Sequence, residues 1–194
     1  MKKILPIATL FMLGASPAFA HVGIGSTASF SAGVAHPLSG LDHLTVMVAV
    51  GLWAARKGGR ALWVWPAAFV AVMLVGGALG IMHVPVPFVE PGILASVVAL
   101  GLMVALAVDL SVWTGAVVVA LFALLHGHAH GTEIAETMSG AEYMVGFALA
   151  TATLHGIGIG FALTMQRAHL RPLIRIVGAV CVAVGAGLMT GALG

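Results

Sequence analysis

Leu62-Trp-Val-Trp-Pro-Ala-Ala-Phe-Val-Ala-Val-Met-Leu-Val-Gly-Gly-Ala-Leu-Gly-Ile-Met82 runs without one charged side chain. A bilayer's hydrocarbon core needs roughly 20 such residues in a helix, so this stretch alone points to a membrane span. Similar runs lie on both sides of it. Apolar segments bounded by charge, Pro and Gly place spans near 38–55, 62–82, 92–108, 112–126, 141–165 and 173–193. Only Asp109-Leu110-Ser111 separates the third from the fourth, which implies a tight helical hairpin, and two of the spans are short for a bilayer.

Composition agrees with this reading. Of the 194 residues 61% are hydrophobic and 7% charged, where a soluble domain carries about 25% charged residues. The 26 glycines and a mean hydropathy of +1.14 suit helices packed closely in lipid. Eight Lys/Arg and six Asp/Glu form neither a basic stripe nor an acidic tail, which excludes nucleic acid as a partner. The fold class expected is an all-α polytopic membrane protein of about six transmembrane helices after a cleavable signal peptide.

The amino terminus has the form of that signal peptide. Lys2 and Lys3 precede an apolar stretch from Ile4 to Ala15, and Ala18-Phe19-Ala20 is an A-x-A cleavage site. The alternative is an uncleaved first helix, for which the stretch is short. The expected organisation is a signal peptide over 1–20 and a single transmembrane domain over 21–194, with His21 as the new amino terminus. Without Lys2 and Lys3, six basic residues face six acidic ones. The single Cys181 cannot form an intramolecular disulfide and reads as lipid-facing or packed.

The remaining cations set a direction. Arg56, Lys57 and Arg60 lie between the first two spans, and Arg167, Arg171 and Arg175 between the last two. Lys and Arg stay on the cytoplasmic side during insertion. Six spans starting from a periplasmic His21 put both clusters in the cytoplasm of an inner-membrane protein. The same count brings His83 to Pro91 and His126 to Gly140 to the periplasmic face.

Nine histidines in so apolar a chain demand a reason, because ionisable groups at membrane depth are costly and line polar pathways. His36-Pro-Leu-Ser-Gly-Leu-Asp42-His43 opens the first span. In a helix His36 and His43 share a face, and Asp42 either orients an imidazole or ligates directly if Pro37 and Gly40 break the helix. The bland reading is a capping Asp beside satisfied histidines. His126-Gly-His128-Ala-His130-Gly-Thr-Glu133 closes the fourth span. A helix puts His126, His130 and Glu133 on one stripe with His128 elsewhere, whereas unwinding at Gly127 and Gly131 brings all three histidines to one side. Either geometry gathers imidazoles and a carboxylate, the donors of a metal site. The alternative is a periplasmic loop that happens to be rich in His.

Other polar groups are weaker candidates. Glu136 and Glu142 could draw cations to the entrance. His155 lies inside the fifth span, where Gly156 and Gly160 have small-xxx-small spacing for a close helix neighbour. It either joins the pathway or bonds across that contact. A free His21 could chelate an ion through its amine and imidazole. His83 could join a vestibule with Glu90, and His169 sits among arginines facing water. Met47, Met138 and Met144 could offer thioethers, although methionines here are mostly packing material. The metal-site residues expected are therefore His36, Asp42, His43, His126, His128, His130, Glu133, His155 and His21.

These motifs resemble the HupE/UreJ family of bacterial nickel/cobalt permeases associated with hydrogenase and urease maturation. The resemblance spans most of the mature chain. His36-x5-Asp42-His43 is similar to that family's first-helix signature, His126-Gly-His-Ala-His130-Gly-Thr-Glu133 to its FHG-x-AHG-x-E signature, and His155-Gly-x-Gly-x-Gly to its fifth helix. Leu125 departs from the family's usual Phe, a change in packing and not in ligation. The resemblance implies uptake of Ni²⁺, less surely Co²⁺, by a six-helix protein that has lost its signal peptide. It implies no tightly bound cofactor, the ion being cargo.

Imidazole with carboxylate suits Ni, Co, Zn, Cu(II) or Fe, and the preference for nickel rests on the resemblance. No G-x-x-x-x-G-K-[ST] occurs, so the chain carries no nucleotide-driven motor. The membrane potential can drive a divalent cation inward by roughly 4.6 kcal/mol per 100 mV. Partners expected are the divalent ion and the lipid bilayer, with a second copy of the chain and metalloenzyme maturation proteins as further candidates. The rival reading is a membrane metalloenzyme, or a chaperone or sensor that holds the metal without moving it. Against an enzyme, no H-E-x-x-H and no separate nucleophile or general base is evident.

Overall fold

A computed structural model of the protein describes residues 26–135 and 137–193. The expected signal peptide over 1–20, His21 and Glu136 lie outside the described residues. Seven α-helices account for the described chain: α1 (Ser26–Ala35), α2 (Leu41–Lys57), α3 (Ala61–Ile81), α4 (Val89–Ala105), α5 (Val112–Thr132), α6 (Gly140–Arg167) and α7 (Arg171–Met189). A 3-10 turn, His36–Leu38, joins α1 to α2. Each of the six expected spans has its helix, and the molecule is an all-helical polytopic membrane protein.

Four helices, α3, α5, α6 and α7, are long and apolar enough to cross a bilayer. The pair Ala28–Leu38 and Leu41–Lys57 passes together as a fifth span bent by 78°, and α4 is a shorter apolar helix. Two differences from the sequence reading bear on function. The helix α1 precedes the first expected span, and α5 continues past residue 126 to Thr132, so the whole histidine motif is helical. Local signals account for the ends: Ser111 caps α5 by accepting the Thr114 N–H at 3.1 Å, Ser139 caps α6, and a proline opens α7.

The end of α2, the α4–α5 turn and the start of α7 come together. There Lys57 pairs with Asp109 at 2.6 Å, Arg56 donates to the Ala107 carbonyl at 3.3 Å, and Arg175 donates to the Ala105 carbonyl at 2.8 Å. This is the cationic pole, and it encloses the hairpin between α4 and α5. Trp53 and Trp65, buried with ring centroids 4.2 Å apart, also donate to that hairpin region, at the carbonyls of Val108 and Val112. Indole N–H groups in an apolar core need such acceptors.

Helix α2 is central and touches α3, α4, α6 and α7, while α3 packs along α5, α4 along α7, and α1 and α2 along α6. The α3–α5 contact is backbone on backbone. A Cβ on Gly127 would strike the Met73 carbonyl, one on Gly131 the Gly77 carbonyl, and one on Gly76 the Leu124 carbonyl. The glycines of the histidine motif thus bring α5 against α3 and do not unwind it. On α6 the close approach differs from expectation: Gly156 and Gly160 face open space, and Gly158 meets α2 at Gly51. Met47, Met144 and Cys181 are buried packing residues, Met144 lying against Gly77 and Cys181 beside Gly101.

Candidate metal centre

The break between α1 and α2 creates the site. Pro37 sits in the 3-10 turn, Ser39 donates its hydroxyl to the His36 carbonyl at 2.7 Å, and the chain bends before α2 begins. His36 and His43 therefore do not share one straight helical face as the sevenfold spacing suggests. Both nevertheless point at α5, with ring centroids 4.8 Å and 5.0 Å from that of His130.

On α5 the helical alternative holds. His126 and His130 lie one turn apart, Glu133 follows at the helix end, and His128 turns away to donate from Nε2 to the Val84 carbonyl at 2.8 Å. Two donor groups result. His43, His126 and His130 bring one ligand atom each within 4.8 Å of one another, as do His36, His130 and Glu133. Ligands on a common ion at about 2.1 Å lie roughly 3–4 Å apart, so small side-chain movements would close either group. His130 belongs to both.

The two groups differ in their access to water. In the outer one the side chain of Glu133 is 51% exposed, that of His36 35%, and that of His130 12%. In the inner one His43 and His126 are fully buried. Within the outer group His36 Nε2 lies 2.9 Å from His130 Nδ1, and Glu133 Oε2 is 3.1 Å from the first and 3.2 Å from the second. Glu133 stands beyond the end of α5, and the bonds from His130 and then His36 hold its carboxyl down at about 2. It is the most exposed donor of the outer group.

Not every expected residue joins these groups. Asp42, in the first turn of α2, accepts the backbone N–H of His43 at 2.7 Å, and its carboxylate is in neither triad. His128 anchors the α3–α4 connection. His155 is buried one turn below Thr151, its ring centroid 5.3 Å from that of Phe69, and neither ring nitrogen has a partner among the described residues. Phe69 also faces His126, so it separates the inner group from His155. His83 is exposed and lines a cavity of about 270 Å³ with Gly131, Ile134 and Met138, apart from both triads. His169 is exposed near the cationic pole.

Three residues of the site were not anticipated. Phe147 forms a wall between α2 and α5, with ring centroids 4.7 Å from both His43 and His130. Ser96 and Thr151, both fully buried, bond the inner imidazoles: Ser96 Oγ is 2.9 Å from His126 Nε2, and Thr151 Oγ1 is 3.2 Å from His43 Nε2. A lone serine in the apolar α4 was the available signal for the first. A threonine one turn before His155 was that for the second.

With this geometry in place, comparison with known proteins is informative. The family model described as HupE / UreJ protein matches residues 9–188. Protein HupE of Rhizobium leguminosarum bv. viciae is 42% identical over 190 residues, covering 97% of this chain and 100% of that protein. No solved structure matches.

Proposed function

We propose that this chain, which belongs to the HupE/UreJ family, is a secondary permease that carries Ni²⁺, and Co²⁺ second, inward across the bacterial inner membrane. One observation carries the reading: the exposed and buried donor triads share His130. A hydrated ion can lose water stepwise to Glu133 and His36, be held by His130, and pass to His43 and His126 without ever being bare. Each triad offers three donors and leaves coordination positions open, which suits exchange better than the closed four-ligand sphere of a structural site. His155, beyond Phe69, is the next donor along this line.

Direction follows from charge. The cationic pole faces the cytoplasm by the positive-inside rule, which turns Glu133 and His36 to the periplasm. The membrane potential then pulls a divalent cation from the acidic mouth inward. The metal delivered serves maturation of a hydrogenase or urease, the context that the family implies.

Purified protein in liposomes with an imposed inside-negative potential tests the proposal. Radioactive nickel should enter the lumen, and His130→Ala should stop it. Nickel retained on the protein without luminal flux would overturn transport in favour of a binder. Turnover of a substrate by the metal-loaded protein would favour an enzyme.

A further inference from the structure

The inner imidazoles have an asymmetry that the donor groups alone do not explain. His43 and His126 each bond a hydroxyl through Nε2, and each leaves Nδ1 buried with no partner among the described residues. We infer that Ser96 and Thr151 are positioning residues that hold His126 and His43 in the tautomer protonated at Nε2, so that each ring offers its Nδ1 lone pair to the ion. This rests on the permease reading for its purpose, but not for its geometry.

A neutral imidazole carries one N–H, and which nitrogen bears it follows from the partner of each. The Ser96 hydroxyl has a single proton, and the Ile93 carbonyl, only an acceptor, stands 2.6 Å from its oxygen. That proton is spent there. Ser96 can then only accept from His126, which puts the imidazole proton on Nε2. Thr151 behaves alike, donating toward the Met73 sulfur at 3.6 Å and accepting from His43 Nε2.

A second argument is independent of the hydroxyl protons. Placing the ring proton on Nδ1 would bury an N–H with no acceptor, and orphaned N–H groups are rarer in folded proteins than under-used acceptors. His128 supplies a reference within the same motif. Its Nε2 faces the Val84 carbonyl, which can only accept, and its Nδ1 is likewise unpartnered. All three rings thus adopt one tautomer, but in His43 and His126 a hydroxyl on a neighbouring helix imposes it.

The consequence is preorganisation. An imidazole in the wrong tautomer presents N–H to a cation, and apparent affinity falls by the fraction of protein in the competent state. Helices α4 and α6, which supply no ligand to either triad, take part in ion capture through these two hydroxyls.

Nitrogen-15 spectra of histidine-labelled protein in bilayers without metal, at a pH where the rings are neutral, test the assignment directly. His43 and His126 signals, identified by their loss in His43→Asn and His126→Asn, should report Nε2–H. Ser96→Ala and Thr151→Val should give mixed tautomers and raise the nickel concentration for half-maximal uptake by about 10–100-fold, the usual cost of losing a group that orients a metal ligand. Maximal rate per protein should change little, and Thr151→Ser should restore both spectrum and half-saturation. Nδ1–H signals in the unaltered protein would overturn the inference, as would unchanged spectra in both hydroxyl-free variants. If Ser96→Ala fails to reach the membrane, the unaltered protein and the Thr151 pair still decide. Nε2–H signals in a protein that moves no nickel would support the tautomer assignment and end the permease reading alone.

Discussion

His130 on α5 stands 2.9 Å from His36, which belongs to the turn where α1 breaks away from α2. Residues 94 positions apart in sequence thus form the contact that joins the exposed donors to the buried ones. One side chain is common to both triads, so the two halves of the site are not interchangeable.

Replacing His130 by Ala should reduce nickel uptake to background, and by more than His36→Ala or His126→Ala, because only it breaks both groups. Uptake by cells, normalised to membrane protein, measures this. Equal losses in all three variants would count against a shared ligand.

Asp42, in the first turn of α2, accepts the His43 N–H through Oδ1, and the side-chain carbonyl of an asparagine can accept it as well. Asp42→Asn should therefore keep most of the uptake, within about threefold, whereas Asp42→Ala loses that hydrogen bond, a cost of about 1 kcal/mol. Inactive Asp42→Asn at normal membrane level would assign the carboxylate to the ion instead.

Acidification from about pH 8 to about 5 should weaken uptake, because a protonated ring cannot bind metal. Glu133, held at about 2, stays ionised throughout that window. Its depressed value adds stability that is present above the usual carboxylate range and is lost as pH falls toward 2. A pH profile of liposome uptake that stays flat over that window would count against imidazole ligands.

His128→Gln should transport nickel within about threefold of the unaltered protein, since an amide can donate to the Val84 carbonyl in place of Nε2. His126→Gln should not. Loss of uptake in both would return His128 to the ligand set.

Gly131→Ala would push α5 off the Gly77 carbonyl, and overpacking of this kind costs typically 1–3 kcal/mol. Its melting temperature in detergent should fall, and uptake with it. Gly156→Ala faces open space and should melt like the unaltered protein. Identical melting of the two variants would refute the role given to the α3–α5 contact.

The histidine motifs show how far residue spacing reaches. His126, His130 and Glu133 sit at one-turn intervals, so a continuous helix had to align them, but spacing did not choose between that helix and an unwound segment. The choice fell to Gly127 and Gly131, which lie against α3 backbone and keep the helix intact. For His36 and His43 the spacing suggested a common face, whereas Pro37 and Gly40 lie at a bend and convergence comes instead from packing against α5 and α6. Asp42 looked like a ligand because it adjoins His43. Oδ1 of its carboxylate accepts the His43 N–H, and the carboxylate belongs to neither triad.

What the sequence by itself determined is the class of the molecule and its chemistry. Uncharged runs of about 20 residues must be helices in lipid, since a helix satisfies its backbone within one segment and barrel strands are half that length, and a few imidazoles and carboxylates in such a chain can be kept only for a polar task. Tertiary structure alone decided which of those groups meet, that His130 serves two triads, and that Ser96 and Thr151 support the inner one. Those facts depend on distances between separate helices, which are set by backbone contacts at glycines and by one bend, and no periodicity along a single helix encodes them.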